Sequence, residues 1–454
     1  MGQRTASTRL AAALVVAGVV AGCSGSDGST DTAGPTSTIA AAATTSTTIV
    51  DDGVLRIGAL LPLTGDGASL GLTLQASIDV AIDEINEAGG VGGRSVQLRV
   101  ADEGGDAATA ASALDDLVQA GVDAVVGPAS STNALNVLDT TTRDGIVTCS
   151  PTASALSLDD YPDDGLFFRT IPSDALQAEA FARAIDETGR GSVGLFYVDD
   201  AYGRPFADLV RQALASRSII IQREVPFAAS DPDFTDDVAT VSNLAGVEVV
   251  AVIGDADGGP RLVHALASDT STTGTAADDA ADDTVPIGGA TADATEGDVP
   301  IVVNDAMRGS SVSGVLADLP DAALARIVGV GPRATVDDPV FAEALAERLP
   351  GSPGYFAVNA YDCVTVIALA ARAAESTSSR EIASRITGLT NGGTDCRTFA
   401  DCAAVLDAGR NVDYDGPSGS LQLGPDGDAN RGVYDVFGYS AGGEVVLSGI
   451  TVSV

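Results

Sequence analysis

Residues 54–61, with the sequence VLRIGALL, form a short apolar run that Pro62 and Gly65 interrupt. A run of this length between turn residues predicts a buried β-strand followed by a loop. From Leu72 to Ala88, apolar side chains recur at helical spacing, and a Gly-Gly pair then stops the pattern. The stretch therefore predicts one strand–helix unit of a sheet that helices cover.

The same alternation continues through the rest of the chain. It predicts strands at 95–100, 122–126, 145–148, 192–197, 219–225, 247–253, 300–303 and 327–330, and helices at 107–120, 206–216, 233–243 and 355–374. Residues 432–439 and 444–447 are expected to close as a hairpin. Such alternation predicts parallel sheets with right-handed crossovers. There are too many units for one compact sheet, so the expected fold class is α/β with two lobes.

The composition restricts the possible partners and chemistry. The chain has 63 Asp and Glu residues against 24 basic residues, all of them arginine, and a formal net charge of −39. This excess argues against nucleic acid or an anionic lipid surface as a partner, because phosphates would be repelled. The one histidine, His264, lies in a predicted helical segment, where a packing or surface role is expected. A single histidine can form neither a histidine cluster for zinc nor, with no motif to support it, a Ser-His-Asp triad. We therefore expect that the protein is not an enzyme and that it binds no metal or cofactor.

The first residues have the pattern of an export signal. Two arginines precede an apolar run at 10–20, which is too short to span a bilayer. The run ends in Val20-Ala21-Gly22-Cys23, which resembles a bacterial lipobox. Residues 1–22 are therefore expected to be removed and Cys23 to carry the lipid anchor, the alternative being an ordinary signal peptide with a chance cysteine. Residues 23–52 are mainly Ser, Thr, Ala, Gly and Asp with few large apolar residues, which predicts a flexible, disordered tether.

Four further cysteines follow the lipobox. An exported chain meets an oxidising compartment, where an even number of cysteines can pair. Cys396 and Cys402 lie close together in sequence and are expected to form a local disulfide. Cys149 and Cys363 then remain, either as a second disulfide or as two separate buried thiols.

Residues 268–298 form a polar stretch rich in Thr, Ala and Asp. Such a composition cannot bury enough apolar surface to offset the entropy of ordering it. The stretch is predicted to be a disordered acidic insertion at the surface, and an acidic functional site is the alternative.

Several segments resemble the extracytoplasmic substrate-binding proteins of branched-chain amino acid ABC transporters. The last two of the segments given next are similar to those of actinobacterial lipoproteins in this family. The segments are IG at 57–58 with PLTG at 62–65, AIDEINEAGGVGGR at 81–94, VGPASS at 126–131, SPTAS at 150–154, FRTIPSD at 168–174, DAYG at 200–203, NAYD at 359–362, CRTFADC at 396–402 and YDGPSG at 414–419. Each motif is short, but their order and spacing together are specific. The resemblance covers nearly all of residues 54–454 except the acidic insertion.

The resemblance implies a type I periplasmic-binding-protein fold. This fold has two doubly wound lobes of parallel sheet, joined by three hinge crossovers, with the ligand in the cleft between them. The crossovers are expected near 171–173, 331–333 and 421–424. Lobe 1 would then comprise 54–172 and 332–424, and lobe 2 would comprise 173–331 and 425–454. The cleft would lie at the carboxyl ends of the strands, where doubly wound sheets bind ligands.

The resemblance also implies ligand contacts from the first lobe. The second serine of VGPASS, Ser131 here, would bind the α-carboxylate of the ligand, with Ser130 beside it or acting as a helix cap. Backbone N–H groups at a helix start, with a hydroxyl, can hold a carboxylate without a cation. In SPTAS, Thr152, Ala153 and Ser154 would contact the carboxylate and the ammonium, and a plain turn is the alternative.

From the second lobe, the resemblance implies an aromatic and an acidic contact. Tyr202 of DAYG would cover the ligand across the cleft. Asp305 follows the predicted strand at 300–303 and matches the family's acid for the ammonium, with Asp255 and Asp257 as alternatives. Where the family often carries an aromatic shortly before the first helix, this chain has Leu70, which removes an aromatic wall.

These assignments imply a monomeric, lipid-anchored protein outside the cytoplasm. It would capture an amino acid, an amide or a small carboxylate by lobe closure and deliver it to the membrane subunits of an ABC permease. One alternative is a lipoprotein that senses the ligand without transport. A secreted hydrolase is a further alternative, although no motif places a base beside a nucleophile.

Overall fold

The computed structural model describes residues 52–65, 67–200, 202–242, 244–255, 258–269, 299–333, 338–352 and 354–453. Outside them lie the predicted signal peptide, the lipidation residue Cys23, the tether up to residue 51, Asp257 and residues 270–298 of the acidic insertion.

The strands of the described residues include every predicted strand, in the predicted order and with shifted ends, and four that were not predicted. They are β1 (Arg56–Leu61), β2 (Gln97–Asp102), β3 (Ala124–Val126), β4 (Val147–Ser150), β5 (Phe167–Arg169), β6 (Ser192–Val198), β7 (Ile220–Phe227), β8 (Val249–Ile253), β9 (Ile301–Val303), β10 (Ile327–Pro332), β11 (Thr394–Cys396), β12 (Val412–Gly416), β13 (Gly419–Ser420), β14 (Arg431–Ser440) and β15 (Gly443–Ser453).

The helices alternate with these strands up to β10 and then cluster before β11. They are α1 (Ala68–Glu87), α2 (Ala107–Gln119), α3 (Ser131–Asp144), α4 (Asp174–Asp186), α5 (Gly203–Ser216), α6 (Thr235–Ser242), α7 (Gly258–Ser268), α8 (Ser310–Val315), α9 (Asp321–Leu324), α10 (Pro339–Arg348), α11 (Ala357–Ala374), α12 (Ser379–Leu389) and α13 (Phe399–Asp407). The described residues also include two 3₁₀ turns, Leu156–Leu158 and Asp305–Met307.

The first sheet has five strands in the order β2-β1-β3-β4-β5, and every pairing is parallel. Its alternate residues pack on opposite faces, as the two-residue period of a strand requires. Ile57, Ala59 and Leu61 join the cluster that contains α1 and α11, whereas Leu60 joins the cluster that contains α2 and α3. Helices therefore cover both faces, which makes this lobe doubly wound.

The second sheet has seven strands in the order β15-β14-β10-β9-β8-β6-β7. It is parallel except for β14 and β15, which form the predicted hairpin, and β14 pairs antiparallel with both β10 and β15. Its two faces are packed by α4 with α5 and by α6 with α7. The chain passes between the two sheets after β5, after β10 and between β13 and β14, so three crossovers join the two lobes.

Both expected disulfides are present. Cys149 of β4 is bonded to Cys363 of α11, with 5.7 Å between their Cα atoms, so this bond fixes a central helix to the first sheet. Cys396 is bonded to Cys402, with 5.3 Å between their Cα atoms, and closes the short loop between β11 and α13. The alternative of two separate buried thiols at Cys149 and Cys363 is wrong.

Among the described residues, α11 is the one helix that is long and apolar enough to cross a membrane. Most of it is buried inside the protein against α1 and α12, which is the environment of a core helix.

The prediction that Leu70 precedes the first helix is wrong. The helix begins at Ala68, and Leu70 lies in its first turn, packed against the core of the first lobe. This early start is possible because the backbone of Gly71 lies against the loop after β1, where no side chain would fit. A Cβ at this position would lie 2.0 Å from the carbonyl oxygen of Pro62.

Candidate ligand-binding site

The loop between β3 and α3 carries the two predicted serines, and they do different things. Ser130 is the N-cap of α3, and its Oγ accepts a hydrogen bond from the backbone N–H of Asn133 at 3.3 Å. Ser131 is the first residue of the helix, and its Oγ accepts from the backbone N–H of Ala155 at 3.3 Å. The Ser131 hydroxyl thus joins two loops and keeps its own proton to donate to a ligand.

The turn after β4 is largely bonded within the protein. The Oγ of Ser150 accepts from the backbone N–H groups of Thr152 at 3.4 Å and Ala153 at 3.0 Å. The hydroxyl of Thr152 donates to the carbonyl of Ala129 at 2.8 Å, and Ala153 is fully buried. These hydrogen bonds shape the turn, in which Thr152 and Ser154 remain partly exposed.

Asp174 lies directly against Ser154 and was missed by the sequence reasoning. Its backbone N–H donates to the carbonyl of Ser154 at 2.9 Å, and the two side chains are hydrogen-bonded. Asp174 is 3% exposed, and its Oδ1 has no hydrogen-bond partner among the described residues. A buried carboxylate oxygen without a partner is costly, which points to a ligand that supplies one.

The pKa of the Asp174 carboxyl is raised to about 7, first by burial and then by the negative charge of Asp305. Asp305 opens the 3₁₀ turn after β9, in the second lobe. The pKa of Asp305 is also raised, chiefly by burial, while a hydrogen bond with Gln177 and the charge of Arg308 lower it in part. The two acids therefore form one coupled site between the crossover into α4 and the second sheet.

Tyr202 lies beside this acidic pair. It precedes α5, its ring packs 5.8 Å from that of Phe206, and its hydroxyl oxygen accepts from Nδ2 of Asn304 at 3.0 Å. Burial, followed by the charges of Asp305 and Asp174, raises the pKa of Tyr202. The side chain is recessed among protein atoms but still reaches solvent, as a residue of a cleft wall should.

A second tyrosine, Tyr434 of β14, also faces the acids. Its pKa is raised by burial and by the charges of Asp174 and Asp305. Its hydroxyl oxygen is buried without a partner among the described residues. Two unsatisfied buried oxygens, Oδ1 of Asp174 and Oη of Tyr434, therefore belong to one acidic region, which suits a cation with several N–H donors.

Arg169 of β5 supports the floor of this region. It is fully buried and paired with Asp428 and with Asp159, the latter at 2.6 Å. Its Nη1 also donates to the carbonyl oxygens of Ala155 at 3.2 Å and Ala153 at 3.4 Å. The guanidinium is thereby neutralised and holds the turn that carries Ser154.

Arg308 is neutralised in the same way at the other side of Asp305. Its Nη2 lies 2.7 Å from Oε1 of Glu444 and 3.4 Å from Oδ2 of Asp435. The guanidinium also lies 5.0 Å from the ring centroid of Tyr355, which precedes α11 in the first lobe. Both arginines near the acids thus already have carboxylate partners.

Of the two alternative acids, only Asp255 belongs to the described residues. The Oδ1 of Asp255 accepts from the backbone N–H groups of Gly258 at 2.7 Å and Gly259 at 3.1 Å, so Asp255 caps α7. Asp257 lies outside the described residues. Within the part of the chain that the structure describes, no three His, Cys, Asp or Glu residues are grouped so as to hold a metal.

The structure therefore brings Ser131, Ser154, Tyr202 and Asp305 to neighbouring loops at the strand ends, and adds Asp174 and Tyr434. One signal could have identified Asp174: it is an acid at the end of FRTIPSD, directly after a predicted crossover. Tyr434 lies inside a strand, and its sequence context carries no comparable signal.

This geometry agrees with the comparisons with known proteins. A family model of periplasmic binding proteins matches residues 54–437. The chain belongs to this family. The match includes the first sheet, the second sheet as far as β14 and every loop of the candidate site, so the resemblance to branched-chain amino acid transporter proteins is confirmed at the level of the family and its fold.

Individual relatives agree on the class of protein. The Leu/Ile/Val-binding protein homolog 3 of Brucella melitensis is 32% identical over 216 residues, which are 46% of this chain and 58% of that protein. The chain thus spans less than two thirds of that relative's length. BasB of Halobacterium salinarum, a substrate-binding protein of a chemotactic signal transduction system, is 26% identical over 381 residues, covering 81% of this chain and 83% of BasB.

A solved structure shows the same fold. The branched-chain amino acid transporter substrate-binding protein LivJ of Streptococcus pneumoniae, in complex with isoleucine, superimposes with a TM-score of 0.67 at 21% identity. The alignment covers 88% of this chain and all of LivJ. The family places the protein outside the cytoplasm.

Proposed function

We propose that this protein captures a small amino-acid-like solute between its lobes and delivers it to the membrane subunits of an ABC permease. The ammonium of the ligand binds Asp174 and Asp305, and its carboxylate binds the hydroxyl of Ser131 and the helix start behind it. Ser154 and Tyr202 complete the enclosure. Amides and small carboxylates are alternative ligands, because they could make some of the same contacts.

The proposal rests on one observation. Asp174 and Asp305 belong to different elements of the fold and lie in the same recessed region. Each raises the cost of ionising its neighbours, as the shifted pKa values of Asp174, Tyr202 and Tyr434 indicate. Such an arrangement is unfavourable without a counter-charge. An ammonium group supplies the charge and the N–H donors that the buried oxygens lack.

Capture follows from lobe closure. A ligand held by Ser131 and Ser154 in the first lobe gains contacts with Asp305 and Tyr202 only when the second lobe approaches. The ligand can shift the balance between open and closed forms only by this differential affinity. No bond is made or broken, so the proposed protein is not an enzyme and uses no cofactor.

The proposal includes a lipid anchor on Cys23 and a monomeric protein that a permease recognises in its closed form. The lipobox-like sequence supports the anchor. Replacing Cys23 by Ala should abolish incorporation of labelled palmitate and release the protein from the cell envelope. Retained labelling in this variant would contradict the anchor without affecting the binding proposal.

A thermal-shift screen of the twenty L-amino acids, their amides and small carboxylates tests the binding function. A ligand that binds only the native state raises the unfolding midpoint. Ser131→Ala, Tyr202→Ala and Asp174→Asn should each reduce the shift that the best ligand causes. Ser112→Ala, an exposed serine on α2, and Tyr161→Phe, which changes a tyrosine bonded to Asp139, are matched controls that should keep it.

The second candidate function is sensing without transport, and the likeness to BasB over most of both chains favours keeping it. The two functions share the binding site and differ in the partner. Deletion of the permease genes should abolish uptake of the labelled ligand if the protein serves transport. A cellular response to the ligand that persists in this deletion, and is lost when Asp174 is replaced by Asn, would establish sensing instead.

The third possibility, a secreted hydrolase, requires turnover. Purified protein that converts any amide or ester of the screen, with the activity lost in Ser131→Ala, would replace the binding proposal. Unchanged compounds after prolonged incubation would leave capture as the function.

A further inference from the structure

Glu103 lies behind the loop that carries Ser131. It directly follows β2 and is 1% exposed. Its Oε2 accepts from the backbone N–H of Ala129 at 2.9 Å, and its Oε1 accepts from the backbone N–H of Ser130 at 3.1 Å. One carboxylate thus holds two consecutive amides of the loop, immediately before the residue that the proposed site uses.

The neighbouring acid does the same for another loop. Asp102 accepts from the backbone N–H of Leu63 at 2.9 Å and from the hydroxyl of Thr64 at 2.6 Å. The pKa of Asp102 is lowered by these hydrogen bonds, that of Thr64 first, so Asp102 stays ionised near neutral pH. The end of β2 therefore organises two loops of the strand-end edge, one through each acid, and only Glu103 titrates in the physiological range.

The environment of Glu103 explains this difference. Burial raises the pKa of Glu103 to about 7, the hydrogen bonds from Ser130 and Ala129 oppose the rise, and the charge of Asp102 adds to it. The side chain of Asn133 also bonds to Glu103 and lowers the pKa. Asp102 and Asn133 are thus the charged and polar side chains that face it, together with the two loop amides.

The ionised form is the one that fits two N–H donors. A carboxylate offers two good acceptor oxygens, whereas a protonated carboxyl offers one and turns the other into a donor. Protonation therefore leaves the amide of Ala129 or of Ser130 with a poor acceptor. A buried N–H without an acceptor destabilises the conformation that buries it.

We propose that Glu103 is a pH-sensitive positioning residue, whose carboxylate orders residues 127–131 and whose protonation loosens them and weakens capture of the ligand by Ser131. The ordering itself is independent of any ligand, and only the effect on capture rests on the proposed function. Acid should therefore loosen this loop before it unfolds the protein.

The contribution of Glu103 to global stability changes with pH in the opposite direction to loop order. Loosening of the loop can therefore be distinguished from unfolding of the protein. Because folding raises the pKa of Glu103 from 4.5 to about 7, its contribution to stability is fully present below about pH 4.5 and is lost as the pH rises through 7. The hydrogen bonds from Ala129 and Ser130 lower the pKa of Glu103, so their release raises it further while the carboxyl stays buried, and protons then favour the released loop over the ordered one. Loop order should therefore decrease on acidification while this contribution to global stability increases.

Hydrogen exchange of the full chain in detergent, read by mass spectrometry on peptides that cover residues 127–131, tests the proposal without a ligand. After correction for the intrinsic exchange rate, protection in the wild type should fall about tenfold between pH 8.5 and pH 5.5, as expected for one lost hydrogen bond. Glu103→Gln places an NH₂ donor against a loop amide and should show low protection at both pH values. Equal protection of the wild-type loop at the two pH values would overturn the proposal.

Asp106→Asn is the matched control. Asp106 also accepts from two backbone amides, those of Ala108 and Thr109, but it is exposed and its pKa is lowered, so it does not titrate in this range. This variant should keep the wild-type pH profile at 127–131. If Glu103→Gln does not fold, the wild-type profile compared with that of Asp106→Asn decides the question alone.

Calorimetric titration with L-leucine, L-isoleucine and L-valine separates this inference from the proposed function. If protection of the loop depends on pH but the protein binds none of these amino acids, the role of Glu103 in ordering the loop is supported and the proposed function is contradicted. If the protein binds an amino acid but protection of the loop does not depend on pH, the proposed function is supported and the role of Glu103 is contradicted. Where both hold, Glu103→Gln should weaken binding about tenfold at pH 8.5 and show a smaller additional loss at pH 5.5 than the wild type.

Discussion

The hydroxyl of Tyr355 donates a hydrogen bond to Oε2 of Glu444 at 2.8 Å. Tyr355 precedes α11, which packs on the first sheet, and Glu444 lies in β15 of the second sheet. The bond therefore connects the two lobes through side chains. Arg308 strengthens the connection, because its guanidinium pairs with Glu444 and lies 5.0 Å from the centre of the Tyr355 ring.

Replacing Tyr355 by Phe should shift the protein toward its open form. The ring and its contact with Arg308 remain, and only the hydrogen bond between the lobes is lost. A hydrogen bond to a charged acceptor of this kind is worth about 1.4 kcal/mol, so ligand affinity should fall about tenfold, mainly through faster dissociation. Stopped-flow dissociation of the best ligand measures this effect.

Tyr161→Phe is the control for that experiment. The hydroxyl of Tyr161 donates to Oδ1 of Asp139 at 2.6 Å, and both residues belong to the first lobe. Its loss should leave the dissociation rate unchanged. Equal effects of the two variants would show that the bond between Tyr355 and Glu444 does not control closure.

Replacing Asp174 by Asn should remove ligand binding and stabilise the free protein. The amide keeps the size of the side chain but not the charge that an ammonium needs, so affinity should fall roughly 100-fold. At pH 8 the buried carboxylate no longer has to be ionised, and the free energy of unfolding should rise by about 2 kcal/mol. Calorimetric titration and urea denaturation measure the two effects.

Asp362→Asn is the matched variant. Asp362 of α11 is fully buried, and burial raises its pKa to about 7, but its partners are Tyr414 and Ser418 of the first lobe. It should change stability without changing affinity. If this variant loses binding and Asp174→Asn does not, the ligand site does not include Asp174.

The effect of the ligand on stability should depend on pH. Folding raises the pKa of Asp174 from 3.8 to about 7, so its contribution to stability is present below about pH 4 and is lost as the pH rises through 7. A bound ammonium stabilises the ionised form. The increase in midpoint that the ligand causes should therefore be larger at pH 8 than at pH 5.5, and Asp174→Asn should flatten this dependence. A larger increase at pH 5.5 would argue against a cationic group at this position.

The two disulfides should contribute unequally to stability. Cys149 and Cys363 are 214 positions apart, whereas Cys396 and Cys402 are 6 apart. Because a longer closed loop restricts the unfolded chain more, replacing the first pair by Ala should cost about 5 kcal/mol and replacing the second about 2 kcal/mol. Urea denaturation of the two double variants compares them. A larger loss for the short loop would show that native contacts, rather than chain entropy, dominate.

The regular units of the fold were predictable because their patterns are local. The apolar run at 54–61 and the helical spacing after it correctly identified β1 and α1, and most later strands were placed within a few residues. The strands β5 and β11 to β13 were missed: they are short and, unlike the equally short β3 and β9, they are not apolar throughout. The helices α4, α10, α12 and α13 were also not predicted, although they have 9 to 13 residues.

The candidate site was predictable only in part. The resemblance implied Ser131, Ser154, Tyr202 and Asp305, and the rule that loops at the carboxyl edge of parallel strands converge predicts that they lie together. The same rule could not separate Asp305 from Asp255, since both follow a strand of the second sheet. Asp255 caps a helix, and that role depends on how the chain turns after β8.

The sequence by itself determined the order of strands and helices, the strongly acidic character and the loops from which a ligand site is built, because these properties depend on near neighbours in the chain. The tertiary structure alone decided that Asp174 meets Asp305, that Tyr434 joins them and that Glu103 holds the loop of Ser131. The physical reason is that burial, charge and hydrogen-bond partners are set by groups distant in sequence but close in space. The cost of ionising a carboxyl is therefore fixed only when the sheets pack.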